Sequence, residues 1–308
     1  MTVPTRDLLA PPGTFMGVPP ATGLRRGQAG ILGLPFDCGT HPTRIGARQG
    51  PQAIRAQSGL VRPVLPEMGD RDILAALEVV DLGDVAVVPG DVAPSMAAIE
   101  AALDQLAGQG GLPVTFGGDG LVTLPQLRAL HRHHPDLVVL HIDAHTDAYD
   151  SPGYTTSTTF TRAAEEGVVD VARSFHVGAR GTLVAPGAYA HTRALGYTVI
   201  PGADLRARGV ADVAAEIRRT VAGRPVHLCF DMDFFDPSAA PGVCTPTWGG
   251  PDAATGFELL QALAGLRVVA ADINTVSPPH DVGGMTACLA GHVAVIALNL
   301  MAPARTAP

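Results

Sequence analysis

Two apolar runs that end in carboxylates constrain this chain more than any other feature. Residues 137–142 (Leu-Val-Val-Leu-His-Ile) lead into Asp143-Ala144-His145-Thr146-Asp147, and residues 226–230 (Val-His-Leu-Cys-Phe) lead into Asp231-Met232-Asp233. A short continuous apolar run is the pattern of a strand buried on both faces, and such strands belong to parallel sheets covered by helices. Side chains alternate along a strand, so residues two apart share a face. Asp143, His145 and Asp147 therefore face one way as their strand runs out, and so do Asp231 and Asp233.

The same grammar extends along the chain. Strands are expected near 29–35, 77–84, 112–116, 137–142, 174–178, 197–200, 226–230 and 267–271. Helices are expected over 48–58, 95–107, 124–133, 211–222, 254–264 and 285–300. Strand–helix alternation predicts an α/β fold in three layers, a central mostly parallel sheet with helices on both faces. Nothing in the composition marks a boundary, so residues 1–308 read as one domain, with the Pro- and Gly-rich residues 1–28 as an extended N-terminal arm. In such sheets the active site lies beyond the carboxyl ends of the strands, where both acidic clusters stand.

Composition excludes several chemistries. The chain contains no lysine, which removes Schiff-base, pyridoxal-phosphate and P-loop mechanisms. A net charge of −8 argues against a nucleic-acid groove or an anionic membrane surface as partner. No basic leader and no membrane-spanning apolar run is visible, and the expected location is cytoplasmic. The four cysteines, Cys38, Cys229, Cys244 and Cys288, form no C-x-x-C pair. What remains is a small-molecule site. Four carboxylates and an imidazole converging at one sheet edge repel unless a cation joins them. A donor set of oxygens with one nitrogen suits Mn²⁺ better than Zn²⁺, and two ions with bridging carboxylates are plausible. Either cluster alone reads more readily as turn or cap chemistry; the pair sets a metal role level with that reading.

At these residues the chain resembles the ureohydrolases, the arginase, agmatinase and formiminoglutamase family, over nearly its whole length. Residues 33–40 and 46–55 look like the family's first loop and helix. Gly117-Gly118-Asp119, residues 143–147 and residues 231–237 look like its metal motifs, and Ala240-Pro241-Gly242, Gly249-Gly250, Ser277-Pro278-Pro279 and Asp281 follow in order. The resemblance implies an arginase-like fold, a Mn²⁺ cofactor, hydrolysis of a guanidino, amidino or formimino carbon–nitrogen bond, and a homo-oligomer, a trimer or hexamer. It further implies that Asp143 and Asp231 bridge two ions, that His145 and Asp233 complete one shell, and that Asp147 belongs to the other. Asp147 is the expected catalytic residue, orienting the attacking water and passing its proton.

Three positions depart from the family's pattern. Gly120 stands where a histidine normally ligates the first ion, so one or two ions are expected. Thr156 stands where arginases and agmatinases carry a shuttle histidine, which formiminoglutamases also lack. Thr275 replaces the glutamate that pairs with the guanidinium. Thr156, Thr275 and the nearby His280 are the expected substrate-binding residues. The leading reading is a hydrolase with an altered substrate site. The alternatives are a non-catalytic structural or regulatory homologue, or another metal-assisted reaction on the same scaffold.

Overall fold

The computed structural model describes residues 13–39, 41 and 43–303. In chain order the elements are β1 (Ala29–Gly33), α1 (Gly50–Gln57), α2 (Ile73–Ala76), β2 (Val80–Asp84), α3 (Val92–Gly108), β3 (Leu112–Phe116), α4 (Thr123–His133), β4 (Val138–Ile142), α5 (Thr159–Glu165), β5 (Phe175–Val177), α6 (Ala188–Ala194), β6 (Thr198–Ile200), α7 (Gly202–Arg208), α8 (Val210–Val221), β7 (Pro225–Asp231), α9 (Ala253–Ala262), β8 (Arg267–Asn274) and α10 (Met285–Met301). The eight strands form one sheet in the order β2-β1-β3-β8-β7-β4-β5-β6. The sheet is parallel throughout, where the sequence promised only a mostly parallel one.

Alternation along the strands divides the core in two. Val138, Leu140 and Ile142 join a cluster with Leu228, Phe230 and residues of α8 and α10. Val139 and Cys229 join the cluster on the opposite face, with Ile99 and Leu103 of α3 and Leu127 and Leu130 of α4. Each such side chain contributes about 1.5–3 kcal/mol by leaving water, so the central strands are held from both sides. Local signals set helix starts. Pro51 lies in the first turn of α1, and the Asp252 carboxylate accepts the Thr255 N–H at 2.8 Å ahead of α9.

The structure differs from the sequence reading in two places. Helices α2, α5, α6 and α7 were not anticipated; they span four to seven residues, too few for a 3.6-residue period to register. The expected arm is described only from residue 13, and it is not simply extended. A 3₁₀ turn, Phe15–Gly17, buries the Phe15 ring edge-on against Phe116, with ring centroids 5.2 Å apart. Asp81 accepts the Phe15 N–H at 2.9 Å. Residues 1–12 lie outside the described part. Among the described residues no helix is long and apolar enough to cross a membrane.

Candidate metal centre

Strand register assembles the site. Ile142 pairs with Phe230, so the next residues, Asp143 and Asp231, emerge side by side. Asp231 pairs in turn with Asn274, which brings Thr275 alongside. Phe116 pairs with Ile273, which delivers Gly117-Gly118-Asp119 to the same rim. The site lies where the outer strands β1–β3 and β4–β6 are separated by β8 and β7, beyond the carboxyl ends of the strands.

Ligand atoms converge in two triads, Asp143, His145 and Asp233 in one and His141, Asp143 and Asp147 in the other. In each the atoms lie within 4.8 Å of one another, and Asp143 is common to both. In the first triad His145 Nδ1 stands 3.2 Å from Asp143 Oδ1 and 3.2 Å from Asp233 Oδ2. Its Nε2 meets the Thr247 hydroxyl at 3.2 Å. Asp231 belongs to neither triad; its Oδ1 accepts the Asp233 N–H at 2.8 Å and the Thr275 hydroxyl. Asp143, Asp147, Asp231 and Asp233 are all buried. Asp147 and Thr275 hold left-handed backbones, with φ of 44° and 65°. Non-glycine residues persist there at a cost of about 1–3 kcal/mol, and such strain clusters at functional sites.

The electrostatics are those of a site with more negative charge than it can hold alone. Burial, then the Asp143 charge, pushes the Asp147 carboxyl well up. Burial, followed by the Asp233 and Asp143 charges, does the same to Asp231. Burial and the Asp143 charge push Asp233 up to about 6. Burial works against the His145 imidazolium, yet the Asp233 charge and the hydrogen bond to Asp143 raise it well above its usual value. Burial also opposes ionisation of Asp143, but His141 and His145 beside it hold its carboxyl low. Asp143 Oδ2 is buried without a hydrogen bond. A divalent cation would replace the shared protons and satisfy that oxygen, and the donor set of carboxylate oxygens and imidazole nitrogen fits one.

The site opens into a cavity of about 570 Å³. Its inner wall is the buried Asp119, Asp147, Asp231 and Asp233 together with Thr275. Its outer wall is the half-exposed His41, Arg44 and His191 with the exposed Asp150 and residues 184–187. Asp119 accepts the Cys38 N–H at 2.6 Å and the Leu121 N–H at 3.1 Å, and burial pushes its carboxyl up to about 6.

Of the residues expected to bind substrate, Thr156 and Thr275 line the cavity, although Thr275 directs its hydroxyl at Asp231. His280 does not line it. It sits on a 3₁₀ turn, with Nδ1 2.9 Å from the Ser277 hydroxyl. Trp248, the chain's only tryptophan, is 73% exposed. At Gly120 a Cβ would lie 2.9 Å from Thr156 Cγ2 and 3.0 Å from Asp147 Oδ2, so Thr156 occupies the ground a longer side chain would need.

Sequence reasoning passed over three residues. Arg44 lines the cavity, and its Nε and Nη2 donate to the carbonyls of Pro241 and Val243. Arg180 Nη2 donates to the carbonyls of Asp233 and Thr247, at 2.8 and 2.7 Å. His141 stands behind Asp143. The signal available for His141 was its place two residues before Asp143 on an otherwise apolar strand. Arg44 and Arg180 offered no local pattern.

Known proteins share this architecture. The sequence model of the Arginase family matches residues 27–299. The chain is 40% identical over 295 residues to a guanidinopropionase of Pseudomonas aeruginosa, covering 94% of this chain and 91% of that protein. It is 34% identical over 283 residues to a human mitochondrial guanidino acid hydrolase, covering 91% of this chain and 80% of that protein. The solved proclavaminate amidino hydrolase of Streptomyces clavuligerus superposes with a TM-score of 0.90 at 33% identity, covering 95% of this chain and 98% of that one.

Proposed function

The chain belongs to the arginase family, and from that premise we propose that it hydrolyses the guanidino carbon–nitrogen bond of an ω-guanidino acid, releasing urea and the corresponding amino acid. Relatives named for guanidino acids and for agmatine both support a guanidino-directed hydrolase. The observation that favours the acid is Arg44, a guanidinium on the outer wall of a cavity whose inner wall is carboxylates; burial and the His145 charge push His41 toward its neutral form, so it adds a hydrogen-bond donor and not a charge. Among the described residues Arg44 makes no ion pair; two of its nitrogens serve main-chain carbonyls, and Nη1 has no protein acceptor. A substrate with a cation at one end and a carboxylate at the other complements both walls. A substrate cationic at both ends does not.

Divalent ions, proposed as Mn²⁺, would be held by Asp143, His145, Asp147, Asp231 and Asp233, and would supply a water acidic enough to ionise near neutral pH. The protein's own groups do the rest. Asp119, whose carboxyl burial pushes up to about 6, faces the guanidinium in place of the carboxylate that Thr275 lacks. Asp147 takes one proton of the attacking water and returns it to the departing amine as the carbon–nitrogen bond breaks; the proton of the hydroxyl left on the carbon passes to that amine as well, so that urea leaves neutral and the amino acid leaves with an ammonium group. Thr275 fixes Asp231 and touches the chemistry only through it.

Urea release from 3-guanidinopropionate, 4-guanidinobutyrate, agmatine and arginine, with Mn²⁺ added, tests this reading. The expected result is kcat/KM for a guanidino acid at least tenfold above that for agmatine, with Arg44→Met raising KM for the acid alone. Preference for agmatine would remove the carboxylate argument. No urea from any of the four, by protein shown to hold metal, would leave the non-catalytic reading standing.

A further inference from the structure

We propose that His141 is the nitrogen ligand of the first metal ion in this protein, supplying from within β4 the imidazole that position 120 does not. The proposal rests on the metal-dependent reading above but concerns binding of the ion alone.

Three observations carry it. First, the second triad contains His141: its ring nitrogen and the oxygens of Asp143 and Asp147 lie within 4.8 Å of one another, all on buried residues. The two triads share Asp143 and contribute one imidazole each, His145 to one and His141 to the other. Second, His141 Nε2 approaches Asp143 Oδ2 to 2.8 Å, and that buried oxygen has no hydrogen-bond partner by geometry. Two donor atoms each about 2.1 Å from one octahedral cation, at right angles, stand about 3 Å apart. Neighbouring ligands of one ion therefore sit at this separation without pointing at each other. Third, the other ring nitrogen is already engaged: Nδ1 of His141 lies 2.9 Å from Nδ1 of His176. A metal-bound imidazole is commonly oriented through its second nitrogen, and an Nδ1 proton given to His176 leaves the Nε2 lone pair free for the ion. His141 is further fixed by Phe160, with ring centroids 4.3 Å apart.

Position 120 cannot take this role. Gly120 has no side chain, and Thr156 fills the adjacent space, its Cγ2 2.9 Å from where a Cβ would stand.

The experiment is a Mn²⁺ titration of metal-free protein without substrate, with free Mn²⁺ followed by electron paramagnetic resonance, and pulsed resonance of the loaded protein for ¹⁴N couplings. The wild type should bind two ions and show two histidine nitrogens. H141Q should lose one nitrogen coupling and weaken one ion at least tenfold, the other remaining unchanged. Gly120→His with Thr156→Ser in the H141Q background should restore the second coupling. If His141 only orients Asp143, H141Q weakens both ions, since they share that carboxylate, and the wild type shows a single coupling; either result overturns the proposal. If H141Q does not fold, the wild-type spectrum decides alone. Neither readout depends on guanidino turnover, so failure of the substrate reading leaves this test intact.

Discussion

Replacing Arg180 by methionine should damage both the stability of the fold and the metal centre. The Arg180 side chain is buried, 8% exposed, between β5 and the loop after β7. Three carbonyls crowd its Nη2, those of Asp233 at 2.8 Å, Phe235 at 3.2 Å and Thr247 at 2.7 Å. Nη2 has only two hydrogens, so two full charge-assisted bonds are at stake, each about 1.5–3 kcal/mol. Methionine keeps most of the volume and removes the cost of burying a guanidinium, which offsets part of the loss. The net expectation is about 3 kcal/mol. With an unfolding entropy of about 2.1 cal/mol/K per residue over 308 residues, that is a fall in Tm of about 5 °C. The same bonds anchor the main chain of Asp233 and, through Thr247, a partner of His145. Mn²⁺ affinity should therefore fall about 10–100-fold, as for losses behind a ligand. Scanning calorimetry and metal titration of Arg180→Met give both numbers. Arg206→Met is the control, since Arg206 is exposed and, among the described residues, its one hydrogen bond goes to the Gly249 carbonyl of the same loop; it should shift Tm by less than about 1 °C. A shift as small in Arg180→Met, with metal affinity intact, would refute the reasoning.

Other outcomes follow from the same geometry. In metal-stripped protein the carboxyls of Asp119 and Asp233 are raised to about 6 and those of Asp147 and Asp231 are raised as well, so the stability they contribute is complete below about pH 4 and is lost as pH rises through 6. The stripped protein should melt lower at pH 7.5 than at pH 5, Mn²⁺ should reverse that order, and calorimetry in two buffers of different ionisation enthalpy should show protons released on binding; a stripped protein that melts higher at pH 7.5 contradicts this. Gly118→Ala places a Cβ 1.5 Å from the Phe36 carbonyl oxygen, so the Gly118 turn must move; a loss above about 3 kcal/mol in urea unfolding is expected. Thr123→Val removes the hydroxyl that donates to Asp272 Oδ2 at 2.6 Å in a fully buried network; a loss of about 2 kcal/mol is expected, and because that hydroxyl opposes the upward push burial gives the carboxyl, the loss should grow as pH rises, so that a pH-independent change would contradict it.

Much of this was legible because parallel strands announce themselves. Residues 138–142 and 225–231 are buried at every position, and continuous apolar runs of that kind belong to parallel sheets covered on both faces. Five of the expected ligands come from those two strand ends, and register alone sets Asp143 beside Asp231. The short helices were not legible, since one or two turns hold too few residues to show a period, and the loops carrying Arg44 and Arg180 act through main-chain carbonyls that no residue pattern encodes.

The harder case is substitution by a residue elsewhere in the chain. Gly120, Thr156 and Thr275 read in sequence as three separate losses. In the structure Thr156 packs over Gly120, and Thr275 binds Asp231. A lone histidine in an apolar strand has a plain reading as a core residue, and His227, one strand over, fits it. Both ring nitrogens of His227 are without partners, and burial pushes the ring down to about 3, neutral at any working pH. His141 differs from His227 only in what surrounds it: His176 at one nitrogen, and the unbonded Oδ2 of Asp143 at the other. None of that follows from a position in the chain, because it depends on the pairing of β4 with β5 and on a side chain missing after β3. A residue-by-residue comparison with the family motif therefore counts position 120 as a lost ligand, whereas the geometry sets an imidazole on the same ion's side of Asp143. Whether the centre is deficient is a question about two positions 21 residues apart in sequence, and the nitrogen couplings of the loaded protein answer it directly.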